Sequence, residues 1–353
     1  MMTLRQFAAK PDSIPARTSW YLTDLSEARG KQELYTRQSP QKLKVLRENA
    51  LIESAVSSNR IEGVTVDRSR VATLMFGKPA LRDREEEEVR GYRNALKLIH
   101  EQGAKLPVTE ETIFKLHRLC RGEIWDAGVY KNKNVDIVQT SPDGHSRMRF
   151  RSVSPKQTPK YMTETLELWR QGLREKWIHP LVLAAAINFD FLCIHPFRDG
   201  NGRVSRLLLL LSLYHCGFEV GRYISLEKII EDNKDRYYEV LEQSSQHWHE
   251  GKHDPWPILN FTLFIILEAY RELENRVGQI SSPRGAKTGL VEHAVGTIAR
   301  EFALVELERR CPSVSRGMIR RVLRKMKAEG RIECLGRGPG AKWRRKDNTL
   351  KRG

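Results

Sequence analysis

Residues 195–206 read His-Pro-Phe-Arg-Asp-Gly-Asn-Gly-Arg-Val-Ser-Arg and lead directly into the leucine-rich run of residues 207–213. The leucine run predicts a buried helix between about Val204 and His215. The two glycines before it allow the backbone to approach a ligand closely and to turn its N–H groups toward an anion, and the start of the helix adds its positive end. The stretch therefore predicts a glycine-rich turn that presents polar groups at the start of a buried helix.

The polar side chains of this turn suit a phosphate site. His195 is a candidate base, and Asp199, four residues later, is able to hold Mg²⁺. Arg203 and Arg206 are three residues apart, so they emerge on the same face of the helix. The alternative is an ordinary turn with solvated charges, but such turns seldom carry a histidine, an aspartate and paired arginines in this order.

The composition allows a large core and argues against several classes of protein. The chain has 353 residues, 40% of them hydrophobic, which suggests two or three domains. No apolar run reaches the roughly 18 residues that a membrane span needs. The N-terminal residues lack the apolar core of a signal peptide, so a cytoplasmic protein is expected. The five scattered cysteines lack Cys-x-x-Cys spacing and favour buried thiols over disulfides or zinc ligands.

Apolar periodicity predicts a mainly helical body. Gly63 is a ready stop for the first of these helices, and Thr109 is a plausible N-cap for another. Residues 129–153 instead alternate apolar and polar side chains around Asp143-Gly144, which predicts a β-hairpin with a long polar turn. Helices are expected at residues 40–62, 84–101, 159–174, 180–191, 226–243 and 257–274, and after Thr109.

The C-terminal region is strongly basic. Residues 281–353 contain 19 lysines and arginines against 7 aspartates and glutamates, in a chain whose net charge is +17. A linker at 281–285 precedes a helix that ends near Cys311-Pro312 and a second helix with Ser313 as its N-cap. A strand at 331–335, a glycine-rich turn at 336–340 and a return strand at 341–345 complete a winged helix-turn-helix pattern.

One face of the second helix in this region carries a basic stripe. Such a stripe suits the DNA backbone, with further contacts from the wing. A solvated face on a winged helix that binds protein is the alternative, because the fold alone does not establish the function. The stripe consists of Arg316, Arg320, Arg324 and Lys327, and the wing adds Arg337 and Lys342.

Residues 195–206 resemble the Fic family pattern His-x-Phe-x-Asp-Gly-Asn-Gly-Arg-x-x-Arg and match it at every specified position. The similarity extends over most of residues 40–270. It implies a mainly α fold: a Fic (Fido) helical core with a β-hairpin flap over residues 111–275. An N-terminal helical region, 1–110, carries an inhibitory helix at about 43–63, and a small winged-helix domain covers 286–353.

The resemblance implies a protein adenylyltransferase that transfers AMP from ATP to a Tyr, Ser or Thr hydroxyl of a target protein or of itself. His195 is then the general base, Asp199 holds Mg²⁺, Arg203 neutralises the pyrophosphate portion and Arg206 the γ-phosphate. Phe197 points inward and anchors the loop. The remaining implied site residues are the anion nest Gly200, Asn201 and Gly202, the nucleoside contacts Tyr237 and Tyr238, and the target-binding flap residues Val135 and Ile137.

The segment Ser58-Asn59-Arg60-Ile61-Glu62-Gly63 resembles the inhibitory motif Ser/Thr-x-x-x-Glu-Gly/Asn of Fic proteins whose inhibitor precedes the core. By that resemblance Glu62 pairs with Arg206 in the space of the γ-phosphate, and Ser58 helps to fix it. A negative charge in the last turn of a helix opposes the helix dipole by about 0.3–1 kcal/mol, so a cation is expected to hold it. The alternative is a surface glutamate beside a glycine cap.

Other functions stay open at this point. One alternative is a nucleotide-sensing transcriptional regulator that binds DNA through the winged helix. A Fic-type kinase, as in the related Doc branch, is another, although the Gly-Asn-Gly-Arg sequence favours AMP transfer. A third is a de-AMPylase in which Glu62 aligns water. A homodimer and the identity of the target protein are open as well.

Overall fold

The computed structural model shows a chain that folds mainly into α-helices, which confirms the predicted fold class. The hairpin turn at Asp143-Gly144, the linker at 281–285, Pro312 and Arg337 lie outside the described residues, so the predictions made for them stay predictions. Ser313 lies outside them as well, but the helix that it was predicted to cap, Arg316–Ala328, has Ser315 as its N-cap, so that prediction is wrong. The structure describes residues 2–9, 14–36, 40–77, 80–122, 124–140, 146–279, 286–298, 301–311, 314–336, 338 and 341–346.

The helices up to Gln279 pack around one hydrophobic cluster, which runs from Met2 to Val277. In chain order they are α1 (Thr3–Ala9), α2 (Ala16–Thr36), α3 (Pro40–Ile61), α4 (Arg68–Phe76), α5 (Arg84–Gln102), α6 (Glu110–Arg121), α7 (Thr158–Glu175), α8 (Pro180–Ile194), α9 (Asn201–His215), α10 (Leu226–Asp232), α11 (Lys234–Ser245) and α12 (Trp256–Gln279). The predicted hairpin is present between α6 and α7 as the antiparallel pair β1 (Ile137–Thr140) and β2 (Ser146–Phe150). The predicted domain boundary at residue 110 stays a prediction.

Helices α5 and α6 each begin with an N-cap and pack against each other beside the candidate site. The Asp83 side chain accepts the Glu86 amide N–H at 2.8 Å and begins α5. Thr109 caps α6 through the amide of Thr112, as predicted. The two helices pack closely because Gly91 has no side chain: a Cβ at this position would overlap the Leu119 carbonyl oxygen.

Helices α8 and α9 lie at the centre of the body and flank the 195–206 stretch. Every residue of 181–194 is buried, and a helix that is apolar on all sides is typical of a core. The charged exception on α8 is Asp190, whose carboxylate accepts the amide N–H groups of Thr3 and Leu4 at 2.9 Å each. These bonds satisfy the buried carboxylate and tie α1 to α8.

The prediction of a single helix over residues 226–243 is wrong. The chain forms two helices that meet at Asn233, whose backbone leaves the helical region with φ −119° and ψ 29°. The Asn233 side chain donates to the Ile229 carbonyl at 2.8 Å. An asparagine that bonds its own backbone neighbours competes with the helix, which accounts for the break.

The C-terminal residues form a second hydrophobic cluster of their own. It contains α13 (Ala286–Thr297), α14 (Leu304–Arg310) and α15 (Arg316–Ala328), together with a three-stranded antiparallel sheet. The sheet has the order β3 (Glu301–Ala303), β5 (Lys342–Arg345), β4 (Ile332–Cys334), and β3 was not predicted. Ser315 caps α15 by accepting the Met318 amide N–H. The winged-helix assignment stays a prediction.

The contact between α5 and α6 generates a stability prediction. We expect Gly91→Ala to lower the free energy of unfolding by about 1–3 kcal/mol, because overpacking forces backbone shifts. Thermal denaturation followed by circular dichroism measures the effect.

The matched control is Gly30→Ala on α2, where a Cβ would meet no atom within 4 Å. This change should leave the melting temperature unaltered or raise it, since alanine favours a helix over glycine by about 1 kcal/mol. Equal melting temperatures for the two variants would contradict the predicted packing.

Candidate active site

The loop between α8 and α9 reverses the chain through two left-handed residues. His195 has φ 53° and Gly200 has φ 82°. Glycine adopts this conformation freely, whereas for other residues it costs about 1–2 kcal/mol. Asn201 braces the loop: its amide group donates to the Phe197 carbonyl at 2.8 Å and accepts the Phe197 N–H at 2.9 Å. The side-chain amide of Asn201 is thus hydrogen-bonded within the loop. Its backbone N–H is the group that remains for an anion.

Phe197 points into the core, where its buried ring stacks on the imidazole of His117 with 3.8 Å between ring centres. His117 Nδ1 accepts the Gly128 N–H at 2.7 Å, so Nε2 carries the proton and donates to the Asp199 carbonyl at 2.9 Å. Burial lowers the pKa of His117 to about 4, which keeps this tautomer neutral. The ring therefore fixes the loop backbone at both Phe197 and Asp199.

His195 lines a cavity, and its imidazole is neutral. Its Nδ1 lies 3.3 Å from the Leu192 carbonyl, which assigns the proton to Nδ1 and leaves Nε2 as the acceptor. Burial lowers the pKa of His195 to about 4, and the positive charge of Lys131 acts in the same direction. The imidazole is unprotonated at neutral pH, the state in which it can accept a proton.

Asp199 and Arg203 belong to one ion-pair network around the buried carboxylate of Glu88. Glu88 lies 3.0 Å from Arg121 and 2.8 Å from Arg203. Asp199 lies 2.5 Å from Arg121 and 3.8 Å from Arg203. Burial opposes ionisation of Asp199, but the two guanidiniums outweigh it and lower the pKa of its carboxyl group. Asp199 is therefore ionised, with 57% of its side chain exposed.

The oxygen atoms at Asp199 suit a metal ion that takes most of its ligands from substrate and water. Among the residues that the structure describes, no group of three His, Cys, Asp or Glu side chains could hold a metal ion. One Asp199 oxygen contacts Arg121 and the other accepts the Gly200 N–H at 2.6 Å. Mg²⁺ in nucleotide sites is held by one or two carboxylates plus phosphates. Asp199 fits such an ion, and it does not fit an all-protein metal centre.

Arg206 is buried on α9 and is held by the end of α3. Its Nη2 lies 2.7 Å from Glu62 Oε1 and donates to the Ser58 carbonyl at 2.9 Å, while its Nε donates to the Ser58 hydroxyl at 2.8 Å. Gly63, with φ 84°, ends the helix directly after Glu62. The structure thus brings together the residues predicted for this segment; their inhibitory role stays a prediction.

The Glu62 carboxylate lies against the first turn of α9. A Cβ at Gly202 would overlap Glu62 Oε1, so the absence of a side chain at this position makes room for the acid. The first turn of a helix is also where backbone N–H groups bind anions. The Glu62 carboxylate therefore lies beside the N-terminal turn of α9, where negative charge is favoured.

A cavity of about 470 Å³ opens beside this turn, a size typical of small-molecule sites. Tyr237 is buried and packs against Phe261, while Tyr238 is half-buried. Val135 precedes β1 and does not belong to the described wall. The wall includes the predicted residues Glu62, Ile137, His195, Gly202, Arg206, Tyr237 and Tyr238.

Four polar residues of the site were not identified from the sequence: Glu88, His117, Arg121 and Lys131. Glu88 directly precedes Val89, which lies on the apolar face of α5. A charged residue beside an apolar face is the one signal in the sequence that indicates a buried, paired carboxylate. The other three carry no local pattern, and each has a partner in or next to the loop that lies more than 60 residues away in the sequence.

The sequence of this chain is similar to one known protein family and to two named proteins. Residues 107–213 match the Fic/DOC family. Protein adenylyltransferase Fic of Nematostella vectensis is 28% identical over 205 residues, which cover 56% of this chain and 44% of that protein. Protein adenylyltransferase Fic of Culex quinquefasciatus is 25% identical over 269 residues, which cover 72% of this chain and 49% of that protein. The chain thus spans less than half the length of either relative.

The fold is shared with a solved structure of a Fic family protein from Desulfovibrio desulfuricans, at a TM-score of 0.62 and 24% identity. That match covers 95% of this chain and 98% of the other. No helix among the described residues is long and apolar enough to cross a membrane. The stretch that matches the Fic/DOC family, residues 107–213, includes the loop, the whole of α8 and nearly all of α9.

Proposed function

We propose that the chain is a protein adenylyltransferase that transfers AMP from ATP to a Tyr, Ser or Thr hydroxyl of a target protein or of itself. The observation that carries the proposal is a cavity whose wall contains both the neutral His195 and Arg206 on α9. The cavity thus combines a proton acceptor with a cation and a helix start that suit phosphate. The similarity to two adenylyltransferases supports the same reaction.

In the proposed reaction His195 Nε2 accepts the proton of the target hydroxyl. The hydroxyl oxygen forms a bond to the α-phosphorus of ATP, the bond from that phosphorus to the bridging oxygen breaks, and pyrophosphate leaves. Catalysis then depends on positioning and charge neutralisation. A bound triphosphate adds negative charge near His195 and favours the protonated imidazole, so the histidine becomes a stronger base when substrate is present.

The phosphates would lie along the start of α9. We assign the pyrophosphate portion to Arg203 and the γ-phosphate to Arg206, which emerge on one face of the helix. The backbone N–H groups of Gly200, Asn201 and Gly202 complete the anion nest. Asp199 would hold Mg²⁺, which when bound neutralises part of the phosphate charge.

We assign an inhibitory role to Glu62. Its carboxylate pairs with Arg206 and fills the space before Gly202. A γ-phosphate cannot take this guanidinium while the carboxylate keeps it, and two anions side by side repel each other. ATP that binds next to Glu62 is therefore displaced from the alignment that places its α-phosphorus near His195.

Glu62→Gly should raise AMP incorporation by at least about tenfold, since tenfold corresponds to only about 1.4 kcal/mol of barrier and removal of the acid leaves a donor of Arg206 open to the γ-phosphate. Purified full-length protein with radiolabelled ATP and Mg²⁺ provides the assay. Glu48→Ala, an exposed carboxylate on the same helix, is the control and should leave incorporation unchanged. Equal labelling of wild type and Glu62→Gly would sink the inhibitory role.

His195→Ala in the Glu62→Gly background should abolish incorporation, because the other carboxylates of the cavity wall are bound elsewhere: Asp136 accepts the Ser152 N–H and Glu242 pairs with Arg149. Intact-mass analysis of the Glu62→Gly protein identifies the transferred group. A gain of one AMP is expected; a gain of one phosphate would assign a kinase instead. Loss of a previously attached AMP, dependent on Glu62, would assign a de-AMPylase.

DNA binding by the C-terminal region is a second candidate function. On α15, Ile319, Val322, Leu323 and Met326 are buried and Met318 is half-buried, so the helix turns its opposite face to solvent. The predicted basic residues Arg316, Arg320, Arg324 and Lys327 of that helix, and Lys342 on β5, are all exposed. Arg316 is paired with Glu308 at 3.1 Å, which leaves the later residues of the stripe as the main candidates for phosphate contacts.

The double change Arg320→Glu and Arg324→Glu should weaken binding to duplex DNA at least about tenfold and lower the salt dependence by about one unit for each lost phosphate contact. Gel shifts without ATP, at several salt concentrations, measure both quantities. Lys97→Glu on α5 is the control for an exposed charge elsewhere. Wild-type protein that fails to shift DNA at low salt would exclude this function.

A further inference from the structure

Lys131 lies between α6 and β1 and is 4% exposed. Its ammonium donates to the Ile194 carbonyl at 3.1 Å and to the Ser152 hydroxyl at 2.7 Å. Its backbone N–H donates to the Pro196 carbonyl at 2.9 Å. One lysine therefore binds the carbonyls on both sides of His195.

The bonds from Lys131 to the Ile194 and Pro196 carbonyls lie on either side of His195, the residue of the loop with a strained backbone. His195 has a left-handed backbone, which an L-residue holds only when the surroundings fix it. The Ile194 and Pro196 carbonyls flank that residue, so the Lys131 bonds restrict the rotations that set the direction of the imidazole. A loss of either bond would leave a carbonyl oxygen near His195 without this donor.

Lys131 also connects His195 to the base of the hairpin. It precedes β1, whereas Ser152 follows β2, and the Ser152 N–H is accepted by Asp136 at 3.1 Å. The Lys131 side chain thus links the residue after the hairpin, Ser152, to the start of the loop that carries His195.

The buried charge of Lys131 acts on His195 as well. The ammonium donates to the Ile194 carbonyl and the Ser152 hydroxyl, and burial lowers the pKa of Lys131 to about 8 against the attraction of Asp136. Glu62 and Asp199 favour a protonated His195, and Lys131 opposes them. The other charged or titratable groups on the cavity wall are Asp136, Arg149, Arg206, Tyr237, Tyr238 and Glu242.

We propose that Lys131 is a positioning residue: it fixes the backbone on both sides of His195 and places a positive charge beside the imidazole. This inference rests on the proposed role of His195 as the base. Lys131 touches no group that the proposed reaction transfers, and it acts through the histidine. It sets both the direction of the acceptor nitrogen and the pH below which that nitrogen is blocked by a proton.

The first test is a histidine titration by NMR from pH 7.5 down to pH 3, a range that brackets the pKa of His195 of about 4 and needs no enzymatic activity. The His195 signal is assigned by its absence in His195→Gln. Lys131→Met, which keeps the length of the side chain and removes the charge, should raise the titration midpoint of His195 by about one pH unit. Lys131→Arg and Ser152→Ala keep the charge and should leave the midpoint near that of wild type.

The second test measures kcat and KM in the Glu62→Gly background. Lys131→Met should lower kcat by at least about tenfold and leave KM for ATP within about twofold, since the residue lies off the phosphate wall. The acidic limb of the pH profile should move to higher pH, because a base that protonates more easily is blocked earlier. Lys131→Arg should restore part of kcat.

A purely structural role would reduce kcat without moving the His195 midpoint, and that outcome would overturn the proposal. An unchanged kcat in Lys131→Met would overturn it too. If Lys131→Met fails to fold, Lys131→Arg and Ser152→Ala still decide: a midpoint that rises in either variant, although the charge is kept, contradicts the electrostatic part. If no variant transfers AMP, the NMR arm still tests Lys131, and only the proposed function fails.

Discussion

A buried guanidinium on the central helix organises this structure. Arg206 sits among the leucines of α9, where an unpaired charge would be strongly unfavourable. Its partners come from the end of α3, more than 140 residues earlier in the chain. The need to compensate one charge therefore joins the N-terminal helices to the loop that carries His195, and it also sets the competition between a protein carboxylate and a phosphate.

In the rest of the site, two carboxylates, Glu88 and Asp199, are shared among three guanidiniums, those of Arg84, Arg121 and Arg203. Glu88 is contacted by both Arg121 and Arg203, and these two guanidiniums also approach Asp199. Buried cations that share their counterions retain an attraction for further negative charge. The helix start and Lys131 add to that field. A polyanion that enters the cavity thus meets groups already held in place, so little reorganisation is needed when it binds.

Much of the fold could be predicted because it depends on local chemistry. The caps at Thr109 and Gly63, the apolar period of α5 and the leucine run of α9 are each visible within a few residues of sequence. The family pattern added the Glu62–Arg206 pair, which no periodicity reveals. Sequence reasoning failed where contacts over long separations decide, as for Lys131 and Arg121. It also failed at Asn233, where one side chain ends a helix that the apolar pattern continues.

One of the contacts to Arg206 comes from main chain, and this limits how the pair can open. A rotation of the Glu62 side chain removes only the carboxylate, since the Ser58 carbonyl and hydroxyl still hold the guanidinium. A carbonyl oxygen cannot rotate away by itself within a helix. In the proposed inhibition, opening would therefore need two stages: a fast rotamer change that admits an anion beside a tethered arginine, and a slower displacement of the last turn of α3 that sets the arginine free.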